Sequence, residues 1–219
     1  MAIYKNSPPI VTSGLVLHLD AANKNSYTSG SAIWRDLSGN KNSGSLVNSP
    51  TYTTNNGGAL VFNGSNNYIN FTNSSSVNTI NIWLNPYIIG NYPIIYTGND
   101  VFNTTQWSWC IYAFGDALYF RGNSSGGSPL VITPLPTNKW NNWTMIRNDS
   151  SNHCVLYNNG IYYGFSVDST LVNDYSGLRI GKAGSNYFSG SISQISMYNK
   201  ALTASEVLQN YNAMRGRYN

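Results

Sequence analysis

Charge is the scarcest commodity in this sequence. Only 9% of its 219 residues are charged, against roughly a quarter in an ordinary soluble domain. Asn, Ser, Thr, Gly and 17 Tyr take their place, so the surface is solvated by amides and hydroxyls. A single glutamate, Glu206, occurs in the whole chain, and no two aspartates form a D-x-D or D-x-x-D pair. Glycoside hydrolysis by two carboxylates flanking the scissile bond therefore has no paired-glutamate site to work with. The formal charge of +4 comes from 12 bases against 8 acids. Its densest spot is merely Arg215 and Arg217, which is not the basic stripe that nucleic-acid binding needs.

Other scarcities exclude more. Only two histidines are present, His18 and His153, with no nucleophile elbow to serve and no zinc spacing around them. Only two cysteines are present, Cys110 and Cys154, each in an apolar run. Two buried thiols are the expectation, with a disulfide open if the two strands are neighbours. The pairs Gly57-Gly58 and Gly126-Gly127 lack the Lys-Ser/Thr and helix of a phosphate-binding loop. No apolar stretch reaches the roughly 18 residues of a membrane span. The opening M-A-I-Y-K-N-S-P-P has no apolar core of a secretory signal, so synthesis in the cytoplasm is expected.

What is present is alternation. Short apolar runs separated by polar turn clusters follow one another to near the C-terminus, the pattern of an all-β sandwich. Strands are expected at 15–19, 45–48, 59–62, 68–71, 79–84, 93–96, 108–114, 117–121, 130–133, 143–147, 153–157, 161–167, 178–181 and 190–198. Asn159-Gly160 suits a type I′ hairpin turn and Gly115-Asp116 a type II′ turn. One helix is expected: Thr203–Glu206 reads as a capping box. Val207, Leu208, Tyr211 and Met214 then share a face, and Gly216 is placed for a left-handed cap. Ile192, Gln194, Ser196 and Tyr198 alternate with Ile195 and Met197 in a mixed pattern, which implies a bulge or burial on both sides.

Three stretches together resemble the laminin G-like jelly rolls of the concanavalin A-like lectin/glucanase superfamily. They are G-L-V-L-H-L-D-A-A-N with W-R-D-L-S-G-N (14–23 and 34–40), L-V-F-N-G-S-N-N-Y-I with I-N-I-W-L-N-P (60–69 and 80–86), and F-S-G-S-I-S-Q-I-S-M-Y-N-K-A-L-T-A-S-E-V (188–207). The resemblance implies an all-β concanavalin A-like jelly-roll sandwich of two antiparallel sheets with one short C-terminal helix. It places an N-terminal arm at 1–13 before a domain at 14–219. Such modules are similar to ones in bacteriophage virion proteins and in glycan-binding proteins. The functional expectation is a non-catalytic virion surface protein (capsid decoration, head fibre or tail-associated), with a lectin-like carbohydrate-binding module as the alternative and a glycosidase a remote third.

Relatives of this kind often carry calcium. Asp20, Asn23, Asp36 and Asn40 are the candidate ligands here. Where the family often has Asp, this chain has Asn63, Asn67 and Ser193, which weakens any such site because calcium favours several carboxylates. No cofactor is otherwise expected, and Asp20 and Asp36 read first as loop-fixing residues. Aromatic and amide groups supply the glycan or interface candidates: Trp83, Trp107, Trp109, Tyr112, Tyr119 and Arg121. The arm, with Ile3 and Tyr4, is expected either to pack on a neighbouring chain, giving a dimer, trimer or docked particle subunit, or to fold back on its own sandwich. The expected partners are other virion proteins, copies of itself and cell-surface glycans, with no nucleic acid and no membrane insertion.

Overall fold

A computed structural model describes residues 7–71, 76–97, 110–121, 129–148, 153–167 and 177–218. In chain order its strands are β1 (Leu15–Asp20), β2 (Ile33–Trp34), β3 (Gly44–Val47), β4 (Thr51–Thr53), β5 (Ala59–Asn63) and β6 (Tyr68–Asn70). There follow β7 (Thr79–Pro86), β8 (Tyr92–Tyr96), β9 (Cys110–Phe114), β10 (Ala117–Arg121), β11 (Leu130–Ile132) and β12 (Asn141–Asn148). The last are β13 (His153–Asn158), β14 (Ile161–Val167), β15 (Arg179–Ile180), β16 (Lys182–Ala183), β17 (Asn186–Tyr187) and β18 (Ser189–Tyr198), then helix α1 (Ala204–Met214). Among the described residues no helix is long and apolar enough to cross a membrane.

Two eight-stranded antiparallel sheets make the sandwich. Sheet A runs β14-β13-β12-β7-β18-β5-β4, with β1 also on β18. β5 pairs Ser189–Ile192 of β18 and β1 pairs its later half, Gln194–Tyr198. Sheet B runs β11-β10-β9-β8-β15-β6-β3-β2, and β16 and β17 form a separate hairpin. The period of two in the strands puts Ile80, Ile82, Leu84, Met145, Leu156, Ile192, Ile195 and Met197 from sheet A against Ile69, Ile111, Ala113, Leu118, Phe120 and Ile180 from sheet B in one core. The expected bulge is present: β18 slips register against β7 between Ile192 and Gln194, and its residues from Gly190 to Tyr198 are all buried.

Both turns form as their residues dictate. Asn159 and Gly160 take φ of 50° and 79°, as a type I′ turn requires, while Gly115 alone at 61° serves the β9–β10 turn. Cys110 and Cys154 are both buried and not bonded to one another; they lie on β9 and β13, in different sheets. Of the expected strands, part of 108–114 lies outside the described residues. The four unexpected strands, β2, β4, β16 and β17, have only two or three residues each, too few to show a period.

Helix α1 begins with the expected box: Thr203 Oγ1 accepts the Glu206 backbone N–H and Glu206 Oε2 accepts the Thr203 N–H at 2.9 Å. Its buried face is Val207, Asn210 and Met214, whereas Leu208 is 46% exposed, which corrects the expected stripe. Asn210 turns inward because it has partners there. Its amide nitrogen donates to the Tyr198 hydroxyl at 3.0 Å, and its carbonyl accepts the Val11 N–H at 2.8 Å. The Tyr198 hydroxyl closes the ring by donating to the Val11 carbonyl at 3.1 Å. Gln209 also donates to the Pro9 carbonyl at 2.8 Å, so residues 9–11 are held on the chain's own helix. Ile3 and Tyr4 lie outside the described residues.

Gly216 does not cap the helix in the left-handed region. The chain instead winds on through a 3-10 turn, Arg215–Arg217. That continuation carries Arg217 to Asp20 and lays Tyr218 on Trp83.

Candidate functional site

The two outer faces of the sandwich differ. On sheet A, α1 and the residues after it lie against the strands, with Val11, Ile146, Tyr198, Leu202 and Val207 forming a small apolar cluster between. Beside that cluster the strands carry polar side chains that satisfy one another. Asn81 donates to Asn142 and Thr144 at 3.0 and 2.6 Å, and His18 Nδ1 lies 2.9 Å from Ser196 Oγ. Burial pushes the His18 pKa below its usual value against the opposing pull of Asp20 and Asp36, so the ring is neutral at physiological pH. Around α1 this face is closed by the chain itself.

Trp83 belongs to it. The side chain is 2% exposed, and Tyr218 stacks on it with centroids 3.9 Å apart, while Tyr211 of α1 lies 5.7 Å away and nearly parallel. The sequence offered Trp83 as a glycan or interface contact because period-two alternation points it away from the sandwich core. It does point away, but the C-terminal segment covers it.

The expected calcium ligands are likewise committed to the chain. Asp20 Oδ1 and Oδ2 accept both guanidinium nitrogens of Arg217 at 2.7 and 2.8 Å, and Oδ1 also accepts the Ala22 N–H. Asp36 accepts the backbone N–H groups of His18, Ser38 and Asn42 and the Ser38 hydroxyl, all within 2.9 Å. Asn23 accepts the Asn25 N–H. Asn40 presents its amide nitrogen, not its oxygen, to the Leu15 carbonyl and Ser38. These oxygens do not fit a calcium ion: a guanidinium already neutralises one carboxylate, and four donors hold the other. Among the described residues no three His, Cys, Asp or Glu cluster in a metal-holding group. Glu206 is hydrogen-bonded to Lys200 at 2.6 Å and to its own cap.

The outer face of sheet B gathers the other candidates. Alternation sends Ile111 and Ala113 inward, and Cys110, Tyr112 and Phe114 outward, on β9; on β10 it sends Leu118 and Phe120 inward and Tyr119 and Arg121 outward. Register then lines these up across strands. One row runs Val131, Tyr119, Tyr112, Pro93. The next runs Arg121, Cys110, Tyr96, Arg179, Asn70, Ser45, Ile33.

Tyr112 and Tyr119 stack, with centroids 4.9 Å apart and planes at 15°, and Phe114 meets Tyr119 edge-on at 6.3 Å. Tyr96, Cys110, Tyr112 and Ala183 form a buried cluster beneath the half-buried Tyr119. Burial pushes the Tyr112 phenol up, with the nearby Arg121 guanidinium pulling it back down, and burial pushes the Cys110 thiol up as well. Farther along the sheet, Lys182 Nζ stands 5.3 Å over the Tyr68 ring, which also meets Tyr187.

Sheet B thus brings Tyr112, Tyr119 and Arg121 together, and Trp83 lies on the other sheet. Trp107 and Trp109 are outside the described residues. Phe114, 54% exposed, was missed by sequence reasoning. Its signal was the same alternation that put Cys110 and Tyr112 on one face, continued two residues to the turn.

Chemically, the face offers rings for the apolar side of a sugar, with the Arg121 guanidinium near Tyr112. Solved structures with similar folds include the binding domain of Paraclostridial Mosquitocidal Protein 1, at TM-score 0.69 and 21% identity over 91% of this chain and 52% of that one. Another is domain 4 of AbnA, a GH43 extracellular arabinanase from Geobacillus stearothermophilus in complex with arabinotriose, at TM-score 0.68 and 18% identity over 91% of this chain and 98% of that one. A third is the botulinum neurotoxin serotype D ligand binding domain in complex with N-acetylneuraminic acid, at TM-score 0.71 and 17% identity over 92% of this chain and 51% of that one. The chain spans about half the length of the two toxin binding domains. No curated protein matches it by sequence. The family profile described as the concanavalin A-like lectin/glucanases superfamily matches residues 63–208, more than half of the chain. With its two antiparallel sheets and C-terminal helix, the chain belongs to that superfamily.

Proposed function

We propose that the chain is a carbohydrate-binding module that holds a glycan against the outer face of sheet B and does no chemistry on it. The observation that carries this reading is the Tyr112–Tyr119 stack with Phe114 at its edge. It is a rigid aromatic platform on the sheet opposite α1, with Phe114 and Tyr119 as its accessible rings and Tyr112 buried beside them. A buried ring supporting a half-exposed one gives a flat apolar surface at little conformational cost on binding. Two domains of similar fold are solved with sugars bound, arabinotriose in one and N-acetylneuraminic acid in the other, which supports a saccharide as the ligand.

Against catalysis stand the positions of three acids among the described residues: Asp20 on Arg217, Asp36 in its loop and Glu206 in the helix cap. The low-charge surface supports display on a particle or cell exterior. A virion-borne module would use the same face toward its host.

The test is calorimetric titration with a panel of neutral and acidic oligosaccharides, arabino-oligosaccharides and sialyl-oligosaccharides included, with reducing-sugar release followed in parallel. One glycan class binds, Tyr119→Ala weakens it at least tenfold at a temperature where the variant is still folded, and no reducing sugar appears. Steady turnover, or binding indifferent to both Tyr119→Ala and Phe114→Ala, would overturn the reading.

A further inference from the structure

The far edge of sheet A is unlike the rest of the surface. β14 is the terminal strand of sheet A and pairs only with β13 among the described residues. Its side chains are I-Y-Y-G-F-S-V, with no charge and no proline, although charged residues and proline are the usual means of keeping an edge strand from pairing. Ile161 is 72% exposed, Tyr162 54%, Tyr163 47% and Phe165 52%. Elsewhere in sheet A large apolar side chains are turned to the core or lie under α1.

These exposed groups flank the edge from both sides. Tyr162 meets Tyr157, which belongs with the apolar cluster under α1, whereas Tyr163 meets Trp143, which belongs to the inter-sheet core. Successive residues of a strand face opposite sides, and the bulge between Leu156 and Tyr157, where β14 has one residue more than β13, makes Tyr163 the extra residue. A partner laid on one face of the sheet would cover only part of this set. A strand added in the plane of the sheet covers both parts and supplies the backbone hydrogen bonds that an edge lacks.

Area and charge point to the identity of that strand. The β14–β13 turn lies against the helix, since a Cβ on Gly160 would come within 3.2 Å of Leu208 Cδ1, so exposed Leu208 extends the apolar strip. Taking about 200 Å² for a whole large side chain, the strip offers on the order of 500 Å² per copy. Two copies would bury roughly 1,000 Å², the lower bound of a specific interface. A twofold axis sets each side chain of β14 against one from the same uncharged set. No like charges then meet, even though each chain carries a formal +4. We infer that β14 is a dimerisation edge, pairing antiparallel with β14 of a second copy to join two A sheets into one.

The experiment is sedimentation equilibrium on the full chain and on Phe165→Lys and Tyr162→Lys, with hydrogen exchange at low and high protein concentration. Both substitutions sit on exposed positions and leave the low-concentration melting temperature in place. The wild type dimerises in the tens-of-micromolar range, either lysine weakens the dimer at least tenfold, and amide protection at 161–167 rises with concentration in the wild type alone. A wild type monomeric at several times that concentration, a dimer untouched by both lysines, or concentration-dependent protection confined to other strands would each overturn the inference. Glycan binding by the monomeric variants is a separate readout, because the sheet B platform and β14 share no residue.

Discussion

Tyr218 lies flat on Trp83, ring centroids 3.9 Å apart and planes 14° from parallel. Trp140 meets Tyr218 at 5.0 Å, its plane tilted by 45°. The Trp140 indole donates to Asn56, which in turn donates to the Arg217 carbonyl at 2.9 Å. The C-terminal segment is therefore part of the fold. Truncating a wholly buried aromatic costs roughly 3–5 kcal/mol. Tyr218 is half-buried with a buried hydroxyl, so Tyr218→Ala should cost about 2 kcal/mol. Urea denaturation monitored by tryptophan fluorescence checks this.

The ion pair beside it gives a second outcome. The Asp20 side chain is 5% exposed and the Arg217 side chain 29%. Arg217→Met should cost about 3 kcal/mol by leaving a buried carboxylate without its cation. The double variant Asp20→Leu with Arg217→Met should recover part of that loss, because both charges are then gone. Thermal melts of the two variants decide the point.

Calcium should be a bystander. With Asp20 held by Arg217 and Asp36 by four donors, neither chelator nor millimolar calcium should move the melting temperature by more than about a degree, since a ligand stabilises only as its binding does. Differential scanning calorimetry with EDTA and with added calcium measures this.

Stability should fall in two acid steps. Burial lowers the His18 pKa below 6.5, so the unfolded chain takes up that proton first. The contribution is intact above 6.5 and is lost as pH falls below it. The Lys200 hydrogen bond and then the cap hold the Glu206 pKa below 4.5. Its contribution is present above that value and is lost as pH falls through the lower folded one. Denaturation midpoints from pH 7 to 3 should show both steps. Glu206→Gln should flatten only the second.

Much of this was legible in the sequence because strands of five or more residues reveal their period. The capping box, both hairpin turns and the β18 bulge could be read from residue types alone. What escaped depends on contacts distant in sequence. Nothing near Gly216 says that Arg217 will reach Asp20, so a left-handed cap was expected where the chain winds on. Trp83 was placed on the correct face, but the ring that covers it lies 135 residues later. Likewise, the guanidinium that engages both oxygens of the calcium candidate Asp20 lies 197 residues later. On sheet B, alternation sufficed to put Tyr112 and Tyr119 outward, and only cross-strand register made them a stack.

The central claim is that a glycan is held on the outer face of sheet B, and localisation tests it most directly. Backbone and aromatic side-chain NMR shifts can be followed while a binding oligosaccharide is titrated into the isotopically labelled chain. The account predicts saturable shifts concentrated at Tyr112, Phe114, Tyr119 and Arg121, with Trp83, Tyr211 and Tyr218 unmoved. Saturable shifts centred on Trp83 and α1, with the Tyr112–Tyr119 platform silent, would contradict it.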